Sequence, residues 1–122
     1  FAKMDYFGQF GNSRQNALAV LVPFVERMLI AHHQADYTAF MSLATLTFKQ
    51  SVSPASFFRA HQQFDPTLGK PLKLRFIRSF SHKNNPVLEF SVQYQLAKHD
   101  IKVHVEFCNN TMPPKINYLS IE

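Results

Sequence analysis

The C-terminal half of the chain alternates between apolar and polar residues, and this period of two constrains the fold more than any other feature. Four short stretches between residues 70 and 122 show the alternation, and a turn signal follows each of the first three. Successive side chains of a β-strand point to opposite faces of its sheet, so each stretch predicts a strand with one apolar face. Short turns between consecutive strands favour an antiparallel meander. The predicted strands cover residues 70–80, 87–96, 101–107 and 115–121.

The alternation also predicts which side chains share the apolar, inward face of the sheet. In the first two strands these are Leu72, Leu74, Phe76, Arg78, Phe80, Leu88, Phe90, Val92, Tyr94 and Leu96. The outward residues, which include Glu89 and Glu106, are polar, and we expect that face to meet water. Arg78 is the one charged side chain predicted on the inward face, where it needs an acid, an opening to solvent or an anionic ligand.

The first half of the chain instead has the three- and four-residue spacing of helices. Ser13 is a good N-cap for a first helix whose apolar stripe is Leu18, Leu21, Val25, Met28, Leu29 and His32. Pro23 lies within it, and we expect one bent helix, the alternative being a helix that begins at Pro23. Asp36 and Ser53 are predicted caps of a second and a third helix. The third should end at Asp65-Pro66, and residues 45–52 fit no class clearly.

Length and composition indicate one domain with an aromatic interior. The chain has 122 residues, of which 13 are Phe and none is Trp. Phe fills space without needing a polar partner, so such a chain has either a large core, the commoner case, or an apolar cavity. We predict an α+β fold over residues 13–122, with helices covering the inward face of the sheet, preceded by an irregular arm over residues 1–12.

The charge pattern does not favour nucleic acid as a partner. A net charge of +5 raises that expectation, but the basic residues are scattered along the chain. The densest run lies on an alternating strand, so its members divide between two faces: Lys70, Lys73, Arg75 and Arg78.

No membrane span is expected within the sequence. The most apolar stretch, residues 17–31, contains Pro23, Glu26 and Arg27 and is too short to cross a bilayer. The chain begins with Phe1 and not Met, so a preceding segment was removed, either by processing or by the choice of the expressed segment, and a signal or anchor could have been lost with it. Cys108 is the one cysteine, so no disulfide within the chain is expected.

Three segments give the chain a resemblance to a known superfamily. They are Gln34-Ala35-Asp36-Tyr37 at the start of a helix, residues 64–70 at the end of another, and residues 115–121 in the last strand. With the long first helix and the meander, they resemble the nuclear-transport-factor-2-like, or cystatin-like cone, superfamily over residues 13–122, especially its small bacterial members. The resemblance implies a curved four-stranded antiparallel sheet with the helices in its concave face. It also implies a cavity and, in many members, dimers. Many of the small bacterial members are exported, so the resemblance favours a periplasmic or envelope-associated location. The chain departs from the family pattern in two places. Pro23 interrupts the first helix, and Pro113-Pro114 replace the Trp that is usual near the start of the last strand.

Neither a metal centre nor a catalytic constellation follows from the residues. The six histidines have no H-x-x-x-H or H-x-H spacing, and no cofactor is predicted. Enzymatic members of the superfamily use an acid or histidine beside a Tyr, for which the candidates are Asp36, Tyr37, His61, Asp65 and Tyr94. Both aspartates are explained by their places at helix ends, and no acid falls on the predicted inward face.

The function expected from these observations is that of a non-enzymatic module that binds a small molecule or mediates assembly. Its cone would accept an apolar or weakly anionic ligand, or its sheet would form a homodimer. One alternative is an isomerase or lyase of the ketosteroid-isomerase or polyketide-cyclase kind, and another is a scaffold domain of a cell-envelope complex. The predicted pocket lining is Tyr37, Phe40, Phe76, Arg78, Phe90 and Tyr94.

Overall fold

A computed structural model describes residues 5–11 and 13–122, and in this part of the chain four α-helices precede a four-stranded antiparallel sheet. A single 3-10 turn, Gly8–Phe10, precedes the helices. The α+β class predicted from the sequence is confirmed. Residues 1–4 and 12 of the predicted arm lie outside the described residues. The elements are α1 (Arg14–His33), α2 (Tyr37–Ser42), α3 (Leu46–Ser51), α4 (Pro54–Leu68), β1 (Pro71–His82), β2 (Asn85–Tyr94), β3 (Ile101–Phe107) and β4 (Ile116–Ile121), and the strands lie in the order β1-β2-β3-β4.

Side-chain caps fix the start of each helix. Ser13, Asp36 and Ser53 each accept a hydrogen bond from the backbone N–H three residues further on, at 3.0–3.3 Å, as the sequence predicted. Thr45 does the same at 3.2 Å. That cap begins α3 within the segment that fits no class from sequence alone.

Two prolines lie inside helices without ending them. Pro23 lies within α1, which runs as one helix, as predicted. The predicted end of α4 at Pro66 is wrong, because the helix continues to Leu68. A proline in the last turn removes a single helical hydrogen bond, and the N–H of Gly69 still donates to the Asp65 carbonyl oxygen at 2.8 Å. Gly69 ends the helix with φ +69°, a conformation that favours glycine.

The core lies between the helices and one face of the sheet, which we call the inner face. Phe90 pairs with Val103 and Leu88 pairs with Val105 across β2 and β3, and all four are at most 1% exposed. The helices cover this face with buried side chains that include Ala17, Leu21, Val25, Met28, Phe40 and Phe57. The N-terminal arm adds Phe7, whose ring centroid lies 5.8 Å from that of Phe76.

A β-bulge in β1 reverses the predicted facing of the residues that follow it. Phe76 pairs with Phe90, but Arg78 pairs with Glu89, so Ile77 is an extra residue in β1. The prediction that Arg78 and Phe80 point inward is therefore wrong. Both belong to the opposite, outer face, where the Arg78 guanidinium carbon lies 5.1 Å from the Phe80 ring centroid.

Two other predicted facings need correction, and so does the predicted hydration of the outer face. Leu72 is the extra residue of a second irregularity in β1 and is 54% exposed. Leu96 lies beyond the end of β2 and is 57% exposed. Glu89 and Glu106 lie on the outer face as predicted, but both are buried there, at 6% and 8% exposure, and the same face carries Phe80.

Candidate functional site

A cavity of about 340 Å³ lies between the helices and β4. It is open to solvent on one side, and its side chains come from all four helices and from the last strand. Phe40, Phe48 and Phe57 are buried and form its floor. The remaining lining residues are His32, Ser51, Val52, Ser56, Ala60, Phe64, Tyr118, Leu119 and Ile121.

Simple periodicities place the cavity-lining residues of α4 on one face of the helix and those of β4 on one face of the strand. Phe57, Ala60 and Phe64 are spaced by three and four residues and therefore share one face of α4. Leu119 and Ile121 are two residues apart on β4 and share the inner face of the sheet. The Phe40 and Phe57 ring centroids are 5.0 Å apart, which makes the floor continuous.

The hydroxyl groups around the cavity are few, and two of them already donate to the backbone. Ser51 Oγ donates to the Phe48 carbonyl oxygen at 2.8 Å, and Ser56 Oγ donates to the Ser53 carbonyl oxygen at 2.9 Å. Tyr118 is 54% exposed and lies at the rim. No Asp, Glu, Lys or Arg lines the cavity within the described part of the chain.

His32 is a half-buried polar side chain in the cavity wall. Its ring is surrounded by aromatic rings, with centroid distances of 5.6 Å to Phe57, 6.2 Å to Phe40 and 6.4 Å to Phe64. Burial lowers the pKa of His32, and the charge of His61 lowers it further. The charge of Asp65 opposes both effects only in part, so the imidazole is neutral at neutral pH. Among residues 5–11 and 13–122, no group hydrogen-bonds its ring nitrogens.

A second, much smaller pocket of about 10 Å³ lies on the other side of His32 and shares with the cavity the walls formed by His32, Phe64 and Ile121. That volume is enough for about one water molecule. His33 Nδ1 lies 2.5 Å from Asp65 Oδ1 in its wall. Tyr94 also lines it, and burial raises the pKa of the Tyr94 phenol to about 12.

Of the residues predicted to line a pocket, Phe40 and Tyr37 are on or next to the cavity. Phe40 belongs to its floor. Tyr37 packs behind it, with its ring centroid 5.4 Å from that of Phe57 and its hydroxyl donating to the Val52 carbonyl oxygen at 3.1 Å. Tyr37 therefore supports the cavity wall without lining it.

The structure places the other four predicted residues elsewhere. Phe90 is 1% exposed and packs against Phe76 in the core, with ring centroids 5.8 Å apart. Tyr94 lines the small pocket. Arg78 lies on the outer face, away from the inner-face side chains that form the cavity wall.

Sequence reasoning missed several residues of the actual lining, although signals for most were present. Phe57 and Phe64 fall within the third predicted helix at a spacing that puts them on one face, and His32 lies on the predicted apolar stripe of the first helix. Phe48 belongs to the segment without a clear assignment, so its role could not be found from the pattern. Sequence periodicity predicts which residues share a face of a helix. It does not predict which of these faces border a cavity, because that depends on how the helices pack.

The outer face holds a cluster of two buried carboxylates. Glu89 Oε1 accepts hydrogen bonds from His104 Nε2 at 2.9 Å and from Arg78 Nε at 3.3 Å. Burial raises the pKa of Glu89, but the hydrogen bond from His104 and the charge of Arg78 outweigh it and leave the pKa below its usual value. Glu106 accepts from side-chain nitrogens at 2.7–3.2 Å, those of His82, Asn85 and Asn117.

Together with their hydrogen-bond partners, the two carboxylates link side chains from all four strands. In the described ranges, no group of three or more His, Cys, Asp or Glu side chains is arranged to bind a metal ion. The same ranges contain no helix that is both long and apolar enough to cross a membrane. No family model matches the chain, and neither a curated protein nor a solved structure was found to be similar to it.

Proposed function

We propose that the protein is a non-enzymatic binding module that holds a neutral, apolar small molecule in the cavity between the helices and β4. One observation carries the proposal: a cavity of about 340 Å³ is walled by aromatic and aliphatic side chains and open to solvent. Ligand pockets in proteins are typically about 300–1,000 Å³, apolar, with a few polar groups. The cavity meets each of these criteria.

The size of the cavity limits the ligand to roughly the bulk of two or three rings or a short acyl chain. Each 100 Å² of apolar surface removed from water contributes about 2.5 kcal/mol. Phe40 and Phe57 are already buried, at 4% and 2% exposure, so the ligand gains this stabilisation mainly by removing its own apolar surface from water, without any charged contact.

Neutrality of the ligand follows from the side chains that line the cavity. The sequence allows a weakly anionic ligand as well as an apolar one, because it predicts the Arg78 guanidinium on the inward face. Arg78 instead pairs with Glu89 on the outer face, and no Lys or Arg lines the cavity among the described residues. A carboxylate in the cavity would lose its hydration without gaining a counter-charge.

The enzymatic alternative requires an acid or histidine that reaches a Tyr hydroxyl inside the cavity. Within the described residues, the Tyr118 hydroxyl at the rim accepts or donates no such hydrogen bond, and neither does Tyr94 in the small pocket. The His33–Asp65 pair lies in the small pocket and is not part of the cavity lining. These positions support binding over acid–base chemistry as the proposed role.

The proposal is tested by filling the cavity. Ala60 lines it, whereas Ala55 is exposed on the same helix, so Ala60→Trp and Ala55→Trp form a matched pair. N-phenyl-1-naphthylamine, a neutral dye that fluoresces in apolar surroundings, is titrated into each protein. We expect saturable binding to the wild type and to Ala55→Trp, and at least tenfold weaker binding to Ala60→Trp. Equal binding to all three, or no saturable binding to the wild type, contradicts the proposal.

A further inference from the structure

We propose that His32 is the polar anchor of the cavity and hydrogen-bonds one neutral hydroxyl or carbonyl group on an otherwise apolar ligand. This inference rests on the proposed function and specifies the chemical class of the ligand. It would make His32 the residue that determines specificity at this site.

The first argument is that neither ring nitrogen of His32 has a hydrogen-bond partner among the described residues. A neutral imidazole has one N–H donor and one nitrogen acceptor. Neither is used by any described residue, whereas the Ser51 and Ser56 hydroxyls in the same cavity donate to backbone carbonyls. His32 is half-buried, and its ring nitrogens are not among the buried side-chain atoms without a partner, so water can reach them in the open cavity. A ligand that displaces this water loses affinity unless it supplies a hydrogen bond of its own to the imidazole.

The second argument is that the His32 ring is held in place. Its ring meets Phe57 edge to face, with an interplanar angle of 87°. The backbone carbonyl of His32 accepts a hydrogen bond from His61 Nδ1 at 2.9 Å, which ties the last turn of α1 to α4. A fixed imidazole loses little conformational freedom when it binds a ligand, so its hydrogen bond contributes to both affinity and specificity.

The chemistry around His32 selects among ligand classes. A hydrocarbon displaces water from the imidazole without replacing the hydrogen bond, so it is disfavoured. A carboxylate is disfavoured because no Lys or Arg lines the cavity in the described part of the chain. Phenols, alcohols and ketones satisfy the imidazole and remain neutral, and the hydroxyl or carbonyl group is the feature that the site would recognise.

Tyr118 provides the matched control, because its hydroxyl is the other polar group at the cavity that could serve as an anchor. Its side chain is 54% exposed at the rim, so water can hydrogen-bond its hydroxyl whether or not a ligand is bound. Replacing Tyr118 with Phe removes that hydroxyl and keeps the ring. If His32 is the anchor, this variant should bind as the wild type does.

The experiment measures the binding of naphthalene, 1-naphthol and 1-naphthoate by calorimetry at pH 7.5, with N-phenyl-1-naphthylamine as the reference for an intact cavity. We expect the wild type to bind 1-naphthol about fivefold more tightly than naphthalene and to bind 1-naphthoate most weakly. His32→Phe should abolish the preference for 1-naphthol, because it removes both the hydrogen bond that 1-naphthol gains and the desolvation cost that naphthalene meets at the imidazole. His32→Gln, which keeps a donor and an acceptor, should retain the preference in part.

The possible failures are distinguishable from one another. If the reference dye binds but His32→Phe leaves the preference for 1-naphthol unchanged, the anchor role is contradicted and the proposed function stands. If Tyr118→Phe abolishes the preference, or if 1-naphthoate binds most tightly, the inference is also contradicted. If even the dye fails to bind the wild type, the proposed function itself fails. Should His32→Phe not fold, the ring-proton shifts of His32 in the wild type decide the matter, because 1-naphthol must move them more than naphthalene does.

Discussion

The Nε atom of Arg78 lies 3.3 Å from Oε1 of Glu89 on the outer face of the sheet. The pair exists because Ile77 is an extra residue in β1, so the strand resumes its alternation one residue out of phase. Without the bulge, Arg78 would lie opposite Leu88 and point into the core. The bulge thus decides which face of the sheet carries the charge. The cavity borders β4, at the other edge of the sheet from β1, and no residue of β1 lines it.

Replacing Arg78 with Met should leave ligand binding intact. The Arg78 side chain is 57% exposed, so its pairing with Glu89 contributes about 1 kcal/mol or less to the free energy of unfolding. We expect urea unfolding to show a loss of that size and the dye titration to give a dissociation constant within about twofold of the wild type. Arg75→Met, at an exposed position of the same strand, serves as the control. A large loss of dye affinity in the Arg78 variant would contradict the assignment of the two faces.

The stabilising contribution of ionised Glu89 should be lost in acid, so the free energy of unfolding should fall with the pH. The pKa of Glu89 is below its usual 4.5 in the folded state, so the unfolded chain takes up a proton first as the pH falls. The stabilising contribution is therefore complete above pH 4.5 and is lost as the pH falls from there through the lowered pKa. Glu89→Gln should cost roughly 1–2 kcal/mol at pH 7 and should flatten this part of the pH profile. Urea unfolding from pH 7 to 2.5 measures both, and Glu26→Gln, at an exposed position on α1, should change neither.

Two adjacent phenylalanines on α4 should differ sharply in their contribution to stability. Phe57 is 2% exposed and packs against Phe40 and Tyr37, whereas Phe58 is 43% exposed. Phe57→Ala should lower the free energy of unfolding by about 3 kcal/mol, the lower end of the usual range because the site already borders a cavity. Phe58→Ala should cost about 1 kcal/mol or less. Similar costs for the two substitutions, measured by urea unfolding, would contradict the described orientation of α4.

Because of His32, the free energy of unfolding should fall as the pH is lowered below 6.5. Burial, followed by the charge of His61, lowers the pKa of His32 below its usual 6.5 in the folded state. Between pH 6.5 and that lower pKa, the unfolded chain binds the proton and the folded chain does not, so the free energy of unfolding falls as the pH falls. His32→Gln should reduce this slope. His99→Gln, in an exposed turn, should leave it unchanged, and equal slopes for wild type and His32→Gln would contradict the burial of the ring.

The element types were largely predictable from the sequence because local signals carry them. The caps at Ser13, Asp36 and Ser53 act within one helical turn, and the strands follow a period of two that is visible in the residues themselves. β3 was predicted with its observed bounds, Ile101–Phe107. The α+β class followed from the order of these elements.

The facing of Arg78 could not be predicted, because a bulge depends on pairing with a neighbouring strand. An alternating pattern read without a bulge assigns Arg78 and Phe80 to the inner face, and nothing within β1 marks Ile77 as the extra residue. The cavity was equally hidden. It depends on how α3 and α4 are spaced from β4, which packing across the whole domain decides and no single segment encodes. Among the predicted lining residues, only Phe40 proved to line the cavity, and Tyr37 lies directly behind it.

The most direct test of the central claim, that the cavity binds a neutral apolar molecule, is an NMR titration of the ¹⁵N-labelled protein with N-phenyl-1-naphthylamine. The aromatic rings of a bound dye shift the resonances of nearby nuclei. We predict saturable shifts of the backbone amides at Phe57, Ala60 and Leu119, which line the cavity, and no shifts at Arg78 or Glu89 on the outer face. Shifts confined to the outer face, or no saturable shift at any cavity residue, would contradict the proposed binding site.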